Sequence, residues 1–351
     1  MKIVGNIIWI VISVITCLIL IVTLAIPYIP PQSPLNVISG INLLFPYTLI
    51  FTFICAVICL FRKQFYIAIG IAVVLLLSVP NLLRNVGLSN PATENEGNKT
   101  VQVSSYNVHY FNFYETKNHN ALQYLKNCQA DILCLQEVLV MQKGEHTLEQ
   151  LTKELSTYPY RHIYFFYVGK HTKKGIATFS KYPIVKKQTA PIQSPSHGAI
   201  SSWIKINNDT LQVINCYLES NRLTREEKEI YASQEKTNIV KRIYNKLAQA
   251  SQKRGNQAIT IASMKDAHCA TLVCGDLNDI PTSYVYRTVR GDDDDCFLAL
   301  DWGIGTTFHE GLYHFRIDYI FADEHIDPLS FYINKQPYSD HYPIELQCKI
   351  K

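Results

Sequence analysis

Seven polar side chains that a protein core tolerates poorly recur at the ends of apolar, strand-like runs. Asn107 ends VQVSSYN, Glu137 ends DILCLQE, Asp276 and Asn278 end LVCGDLN, Asp318 interrupts RIDYIF, and Asp340 with His341 precedes the last apolar run. A buried carboxylate without a partner costs several kcal/mol, so such groups imply one another or a cation. A divalent ion would satisfy several of them at once. Carboxylate and amide oxygens with no accompanying Cys/His cluster suit a hard ion, Mg²⁺ or Mn²⁺, rather than zinc. Each residue also has a plain structural reading: Asn and Asp form turns at strand ends, Glu137 would suit the first turn of a helix, and a single histidine is often a satisfied surface residue. Asp318 resists that reading, because Asp is depleted from strands. The joint pattern is what points to chemistry.

The elements that must position these residues begin at Val101. Short β-type runs alternate with helical ones: VQVSSYNV, a helix around 121–128, DILCLQ, a helix around 147–155, then strands at RHIYFFYV, GIATFS, SSWIKI and LQVINCYL. A longer helix is expected over about 225–250, opened by Thr224 with Glu227 three residues on, the spacing of a capping box. Residues 252–267 fit either a surface loop or a short extra helix. Strands follow at TLVCGDL, RIDYIFA and PIELQCKI. Adjacent strand pairs with few intervening helices predict an α+β fold of two packed, antiparallel or mixed sheets with helices outside, rather than a doubly wound parallel sheet. Cys134, Cys216, Cys274 and Cys348 lie inside apolar runs, and no C-x-x-C spacing occurs, which reads as buried thiols. The run Asp292 to Asp295 reads as a solvated loop without EF-hand spacing.

Ahead of this part the chain is of another kind. Over all 351 residues it is 48% hydrophobic, yet no Asp or Glu precedes Glu94, and the only basic residues before it are Lys2, Arg62, Lys63 and Arg84. Removing those four from 33 Lys plus Arg leaves 29 against 29 Asp plus Glu, so the net +4 belongs to the N-terminal part and the remainder is formally neutral. Apolar runs over 7–26, 41–61 and 65–83 each reach the roughly 20 residues that span a bilayer core. The first is too long for a signal h-region and no small-x-small cleavage site follows it. The expected organisation is a three-helix membrane anchor over 1–88, a polar linker over 89–99 (SNPATENEGNK) and a catalytic domain over 100–351. Arg62 and Lys63 fill the second loop, so the positive-inside rule puts that loop in the cytoplasm. Three spans then deliver the catalytic domain to the outer, periplasmic or extracytoplasmic face.

The series SYNVHYF, LCLQEV, GIATFSKYPI, VINCYLES, VCGDLND, FRIDYIF and SDHYPI resembles the endonuclease/exonuclease/phosphatase superfamily in order and spacing over about residues 100–351. With the three spans it further resembles membrane-anchored bacterial members. The resemblance implies a four-layer αββα sandwich with the site at one edge. It implies that Glu137 and Asp340 ligate Mg²⁺, with Asn107 close to the ion or the phosphate. Asp276 and Asn278 would position or deprotonate the attacking water, and His341, oriented by Asp318, would contact the scissile phosphate. Where many members read N-T-H-L this chain reads Asn215-Cys216-Tyr217-Leu218, which puts Tyr217 where an active-site histidine is common. Abasic-site endonucleases of the superfamily are similar in having a tyrosine there, and Tyr217 is expected to donate a hydrogen bond to the phosphate.

The expected activity is metal-dependent hydrolysis of a phosphodiester or phosphomonoester by in-line attack of water. Expected partners are the bilayer and a phosphate-ester substrate: a lipid head group, a small phosphoester or a nucleic acid. A neutral catalytic part is poorly suited to gripping long polyanions by charge alone, although a locally basic cleft keeps nuclease action open. A binding module of the same fold without catalysis is the alternative from another class, with Tyr217 the feature in its favour.

Overall fold

The computed structural model describes residues 2–89, 100–113, 120–221, 236–310, 313–336 and 338–351. The linker beyond residue 89 and the capping box at Thr224 and Glu227 lie outside the described residues. The chain divides into two compact units: Met1–Asn85 with Asn221–Gly255 and Ile280–Arg287, and Val86–Ser220 with Asn256–Asp279 and Thr288–Lys351.

The first unit is built on α1 (Lys2–Ala25), α2 (Phe45–Phe61) and α3 (Phe65–Leu83). A 3-10 segment over Pro34–Leu44 runs into α2, so the stretches long and apolar enough to cross a membrane are Gly5–Tyr28, Pro34–Phe61 and Phe65–Leu83. The second begins earlier than hydropathy places it, because Ser33 accepts from the Leu35 N–H and Pro34 supplies a pre-set first position. Phe53, Ile69 and Leu76 are exposed on these helices, as suits contact with hydrocarbon. The hydroxyls of Thr16, Thr23, Thr52 and Ser78 donate to carbonyls three or four residues back, which removes unpaired polar groups. Arg62 Nε and Nη2 donate to Asn6 Oδ1 at 3.1 and 2.6 Å, joining the start of α1 to the loop between α2 and α3. Around the other connection, Tyr244 Oη donates to the Val37 carbonyl at 2.7 Å and Thr282 Oγ1 to Asn42 Oδ1 at 3.1 Å.

The second unit holds the strands: β1 (Gly87–Leu88), β2 (Val101–Asn107), β3 (Ile132–Met141), β4 (Tyr160–Val168), β5 (Thr172–Ser180), β6 (Ile184–Thr189), β7 (Gly198–Ile206), β8 (Asp209–Tyr217), β9 (Ala270–Asp276), β10 (Asp294–Asp295), β11 (Trp302–Gly303), β12 (Phe308–Glu310), β13 (Tyr313–Phe315), β14 (Asp318–Ala322), β15 (Ile326–Ile333) and β16 (Ile344–Ile350). The helices after α3 are α4 (Asn120–Asn127), α5 (Leu148–Glu154), α6 (Lys236–Ala262), α7 (Tyr284–Arg290) and α8 (Cys296–Leu300). Two six-stranded sheets form, in the orders β10-β14-β9-β8-β7-β6 and β15-β16-β2-β3-β5-β4. Each contains one parallel pair, β8 with β9 and β2 with β3, among antiparallel neighbours. The α+β architecture of two mixed sheets with three apolar N-terminal helices is therefore the one expected.

Alternation along β3 shows why its run is apolar on both faces. Ile132 and Cys134 join Val103, Leu211, Val213, Leu272, Cys274 and Leu346 in one core, while Leu133 and Leu135 pack with Leu125, Leu151 and Leu155 in another. Leu125 belongs to α4 and Leu151 to α5, so the second core is the sheet's helix-covered face. Thr147 caps α5 with both bonds of a capping box to Gln150. The cysteines read as core residues, Cys134, Cys216, Cys274 and Cys348, are buried.

Three local readings change. Residues 252–262 continue α6 rather than forming a loop or separate helix. The run Asp292 to Asp295 is only half solvated: Asp292 and Asp294 are exposed, but Asp293 pairs with Lys265 at 2.7 Å, and buried Asp295 binds Arg316 at 2.7 Å while accepting from the Phe297 N–H to start α8. The edge strands β6 and β15 were not legible, because β6 is mostly exposed and β15 carries Pro328 at a register shift, where a missing N–H is tolerated.

Candidate active site

Three of the expected residues are set side by side by strand register. Asp318 is opposite Asp276 across β14 and β9, and Asp276 is opposite Tyr217 across β9 and β8. The β8–β9 approach requires glycine before Asp276: Gly275 has φ 139°, and a Cβ there would collide with the Cys216 carbonyl oxygen. In the other sheet Asn107 is level with Gln136 across the parallel pair β2 and β3. The pairing of β3 with β5 shifts register between Leu135 and Val138, and Glu137 within that bulge takes φ 51°. A bulge re-aims a side chain that a regular strand would place elsewhere, and a non-glycine residue held at positive φ is strain of the kind that collects at functional sites.

The two sheets meet at Asn107. Its Nδ2 donates to Glu137 Oε1 at 3.1 Å and to Asp276 Oδ2 at 3.0 Å, and its Oδ1 accepts from the His109 N–H at 3.1 Å. Tyr217 Oη donates to the same Glu137 Oε1 at 2.7 Å. Asn278, at φ 51°, turns back so that its N–H donates to Asp276 Oδ1 at 2.7 Å and its Nδ2 to Oδ2 at 3.1 Å. His341 Nδ1 lies 2.8 Å from Asp318 Oδ2, and its Nε2 lies 3.9 Å from Asp276 Oδ2. Asp340 enters through Ser339, whose Oγ donates to the Asn107 carbonyl at 2.9 Å and lies 3.1 Å from Asp340 Oδ1. All eight expected residues thus belong to one connected polar cluster.

Electrostatics divide this cluster. Burial, reinforced by the neighbouring Asp318 charge, pushes the Asp276 carboxyl up to about 8. Burial opposes the charged form of His341, but the Asp318 and Asp276 carboxylates outweigh it and hold the imidazole well above its ordinary value. Burial likewise works against ionised Asp340, yet the hydrogen bond from His109 and the charges of His341 and His109 take it well below the carboxylate range. His109 Nδ1 is 3.2 Å from Asp340 Oδ1, and that hydrogen bond raises the His109 imidazole against the effect of burial. Burial and then Glu137 drive the Tyr217 phenol far up, so it remains a donor.

Two members of the cluster escaped the sequence reading. His109 stands in the motif SYNVHYF itself, and the signal for it was its position two residues after Asn107. It opens a run, His109 to Asn112, of four successive positive φ values, which no propensity foretells. Ser339 precedes Asp340 directly, but a serine in a loop carries no chemical signal until the Asn107 carbonyl is placed beside it.

The donor chemistry fits a hard divalent cation. Every hydrogen bond to the Glu137 and Asp340 carboxylates falls on Oε1 and Oδ1, which leaves Oε2 and Oδ2 without hydrogen-bond partners among the described residues. Asp276, Asp318 and His341 form a second candidate group, with one ligand atom from each within 4.8 Å of the others. In that group Asp318 is already engaged with His341 Nδ1.

Comparison with known proteins bears on the fold and the family. The chain superposes on an endonuclease/exonuclease/phosphatase from Beutenbergia cavernae with a TM-score of 0.54, at 16% identity over 72% of each chain. A family protein from Bacteroides vulgatus gives 0.51, at 18% identity over 72% of this chain and 99% of that one. ANGEL2, described as a 2',3'-cyclic phosphatase and solved with adenosine-2',3'-vanadate, gives 0.50, at 15% identity over 75% of this chain and 99% of that one. At these identities the likeness concerns the fold. No curated protein sequence matches the chain. The sequence model of the Endonuclease/Exonuclease/phosphatase family matches residues 104–341, from β2 to His341. By that match over most of its length, this chain belongs to the endonuclease/exonuclease/phosphatase family.

Proposed function

We propose that the protein is a membrane-anchored, divalent-metal-dependent phosphoesterase, with residues 1–88 as anchor, 89–99 as linker and 100–351 as catalytic domain. The observation that carries this reading is the Asn107 amide, which joins Glu137 of one sheet to Asp276 of the other. Through it, residues from distant parts of the chain form a single site. Glu137 and Asp340, with Asn107 beside them, would hold Mg²⁺ or Mn²⁺. Such an ion supplies Lewis-acid polarisation of a phosphoryl oxygen and stabilises a leaving alkoxide.

The chain's own residues supply the remaining steps. Asp276, with a pKa near 8, is matched to accept a proton from water near neutrality, where a base of that strength works best. Asn278 fixes both of its oxygens. His341, kept protonated by Asp318, presents Nε2–H to the phosphate as negative charge builds in an in-line displacement. Tyr217 holds Glu137 through its hydroxyl, and it can donate to a phosphate oxygen once substrate competes for it.

The anchor reading rests on the three apolar helices. The cations Arg62 and Lys63 lie between α2 and α3. This supports an outer-face catalytic domain by the positive-inside rule. The test is Mg²⁺-dependent release of nitrophenol from bis-p-nitrophenyl phosphate by the full-length protein in detergent, alongside a phosphomonoester, a phospholipid and plasmid DNA. Hydrolysis abolished by EDTA and restored by Mg²⁺ is the expected result. Retained turnover in EDTA would defeat the metal-dependent reading, and inertness toward the whole panel would favour the silent binding module.

A further inference from the structure

A second acid–histidine pair lies behind Tyr217. His197 and Glu219 are almost completely buried, with side-chain exposures of 2% and 5%, and His197 Nδ1 lies 2.9 Å from Glu219 Oε2. The Ser220 N–H donates to His197 Nε2 at 3.1 Å, so that nitrogen presents a lone pair and the ring proton sits on Nδ1, beside Glu219 and the hydroxyls of Ser196 at 3.0 Å and Ser194 at 3.3 Å. The Glu219 N–H in turn donates to Gln257 Oε1 at 2.9 Å. Both ring nitrogens are therefore committed, and the imidazole plane is fixed from two sides. A histidine held this way cannot reach a substrate.

Its ring packs against Tyr217 instead, tilted by 42°. The two ring centroids are 4.7 Å apart, and Phe166 closes the phenol from another direction at 6.2 Å. Gly198, which follows His197, is opposite Tyr217 in the β7–β8 register, and a Cβ there would press on the Tyr164 ring. Tyr217 is thus clamped within an aromatic wall, while its hydroxyl projects to Glu137 Oε1. The phenol oxygen lies on the ring's long axis at the end of the side chain, so a tilt of that axis displaces it although rotation about the axis does not. Burying a carboxylate and a histidine is costly unless they are fully bonded, and here each is bonded beside the Tyr217 ring.

We propose that Glu219 and His197 are positioning residues that fix the Tyr217 ring and so aim its hydroxyl at Glu137, an inference that rests on the phosphoesterase reading for its kinetic consequence. His197→Ala is expected to lower kcat on bis-p-nitrophenyl phosphate by on the order of 10- to 100-fold, the scale of an ångström-sized misplacement, with KM nearly unchanged. Glu219→Gln keeps an acceptor for Nδ1–H and is expected to retain most of the rate. In a Tyr217→Phe background the same His197→Ala change should cost little more, since the hydroxyl it serves is gone. Equal losses in both backgrounds would overturn the inference.

A second readout does not depend on turnover. With 3-fluorotyrosine at position 217 of the full-length protein, the ¹⁹F resonance should be single in the parent and shifted or split in His197→Ala. His197→Phe keeps the ring volume while removing both hydrogen bonds, and should show the same change if the alanine variant fails to fold. An unaltered resonance in these variants sinks the positioning role. Absence of hydrolysis by the parent protein would instead defeat the phosphoesterase reading and leave the resonance to judge this one.

Discussion

Asp276, fully buried, and Asp340, a quarter exposed, each stand beside a histidine in the same cluster, and they end at opposite extremes. Asp276 faces a second carboxylate, Asp318, across a strand pair, so burial and like charge act together and its carboxyl rises to about 8. Asp340 receives a hydrogen bond from His109 and the positive field of His341, and these overcome burial. The difference teaches that burial alone does not assign an acid its role. The neighbours decide whether its carboxyl rises toward neutrality or stays charged.

The sharpest way to break the comparison is to remove the groups on the Asp276 side. Asp276→Asn and His341→Ala should each lower turnover of bis-p-nitrophenyl phosphate by roughly 10²- to 10⁴-fold, the range for a lost general acid or base. Circular dichroism should show the fold intact, and a variant with near-parental rates would remove that residue from the chemistry. On the Asp340 side, His109→Gln takes away the group that orients the carboxylate. The expected result is an increase of about 10- to 100-fold in the Mg²⁺ concentration for half-maximal rate, with kcat largely restored at saturating metal.

The two acids should also respond to pH with opposite sign in the metal-free protein. The folded pKa of Asp276 lies above its ordinary value of 3.8, so its presence costs stability progressively as pH rises from there through about 8. That of Asp340 lies below 3.8, so its contribution is complete above that value and is lost as pH falls further. Thermal melts in EDTA should accordingly show Asp276→Asn gaining on the parent between about pH 5 and pH 9. The deficit of Asp340→Asn should shrink below about pH 4. Parallel curves for the two variants would contradict the assignment of opposite environments.

A smaller effect comes from outside the cluster. Burial pushes the His162 imidazole, bonded to Ser202 Oγ at 3.0 Å, down to about 4. Because its ordinary value is 6.5, stability from keeping it neutral is full above that pH and declines as pH falls toward 4. His162→Gln should flatten this acid limb of the melting curve without altering the pH dependence of turnover.

Much of the fold could be read along the chain, because alternation and run length are local signals. DILCLQ and LVCGDL announce strands buried on both faces, and the runs within residues 1–88 announce helices of membrane-spanning length. The strands that were missed, β6, β12, β13 and β15 with the two-residue β1, β10 and β11, are short or lie at sheet edges, where alternation carries little contrast. The acidic run at Asp292 to Asp295 misled for a related reason. Like charges in sequence suggest solvent, but Lys265 and Arg316 arrive from remote segments to pair with them.

For the site, residue types and strand-end placement were sufficient to nominate Asn107, Glu137, Asp276, Asn278, Asp318, Asp340 and His341, and the family resemblance added Tyr217. A carboxylate at the end of an apolar strand is costly wherever the strand goes, and that cost is visible in one dimension. Which carboxylate faces which partner is not. The register that sets Asp318 beside Asp276, the bulge that swings Glu137 toward Tyr217, and the left-handed turn that brings His109 to Asp340 all depend on chain segments far apart in sequence. Electrostatic roles follow distances between side chains, and only the packed sheets fix those distances.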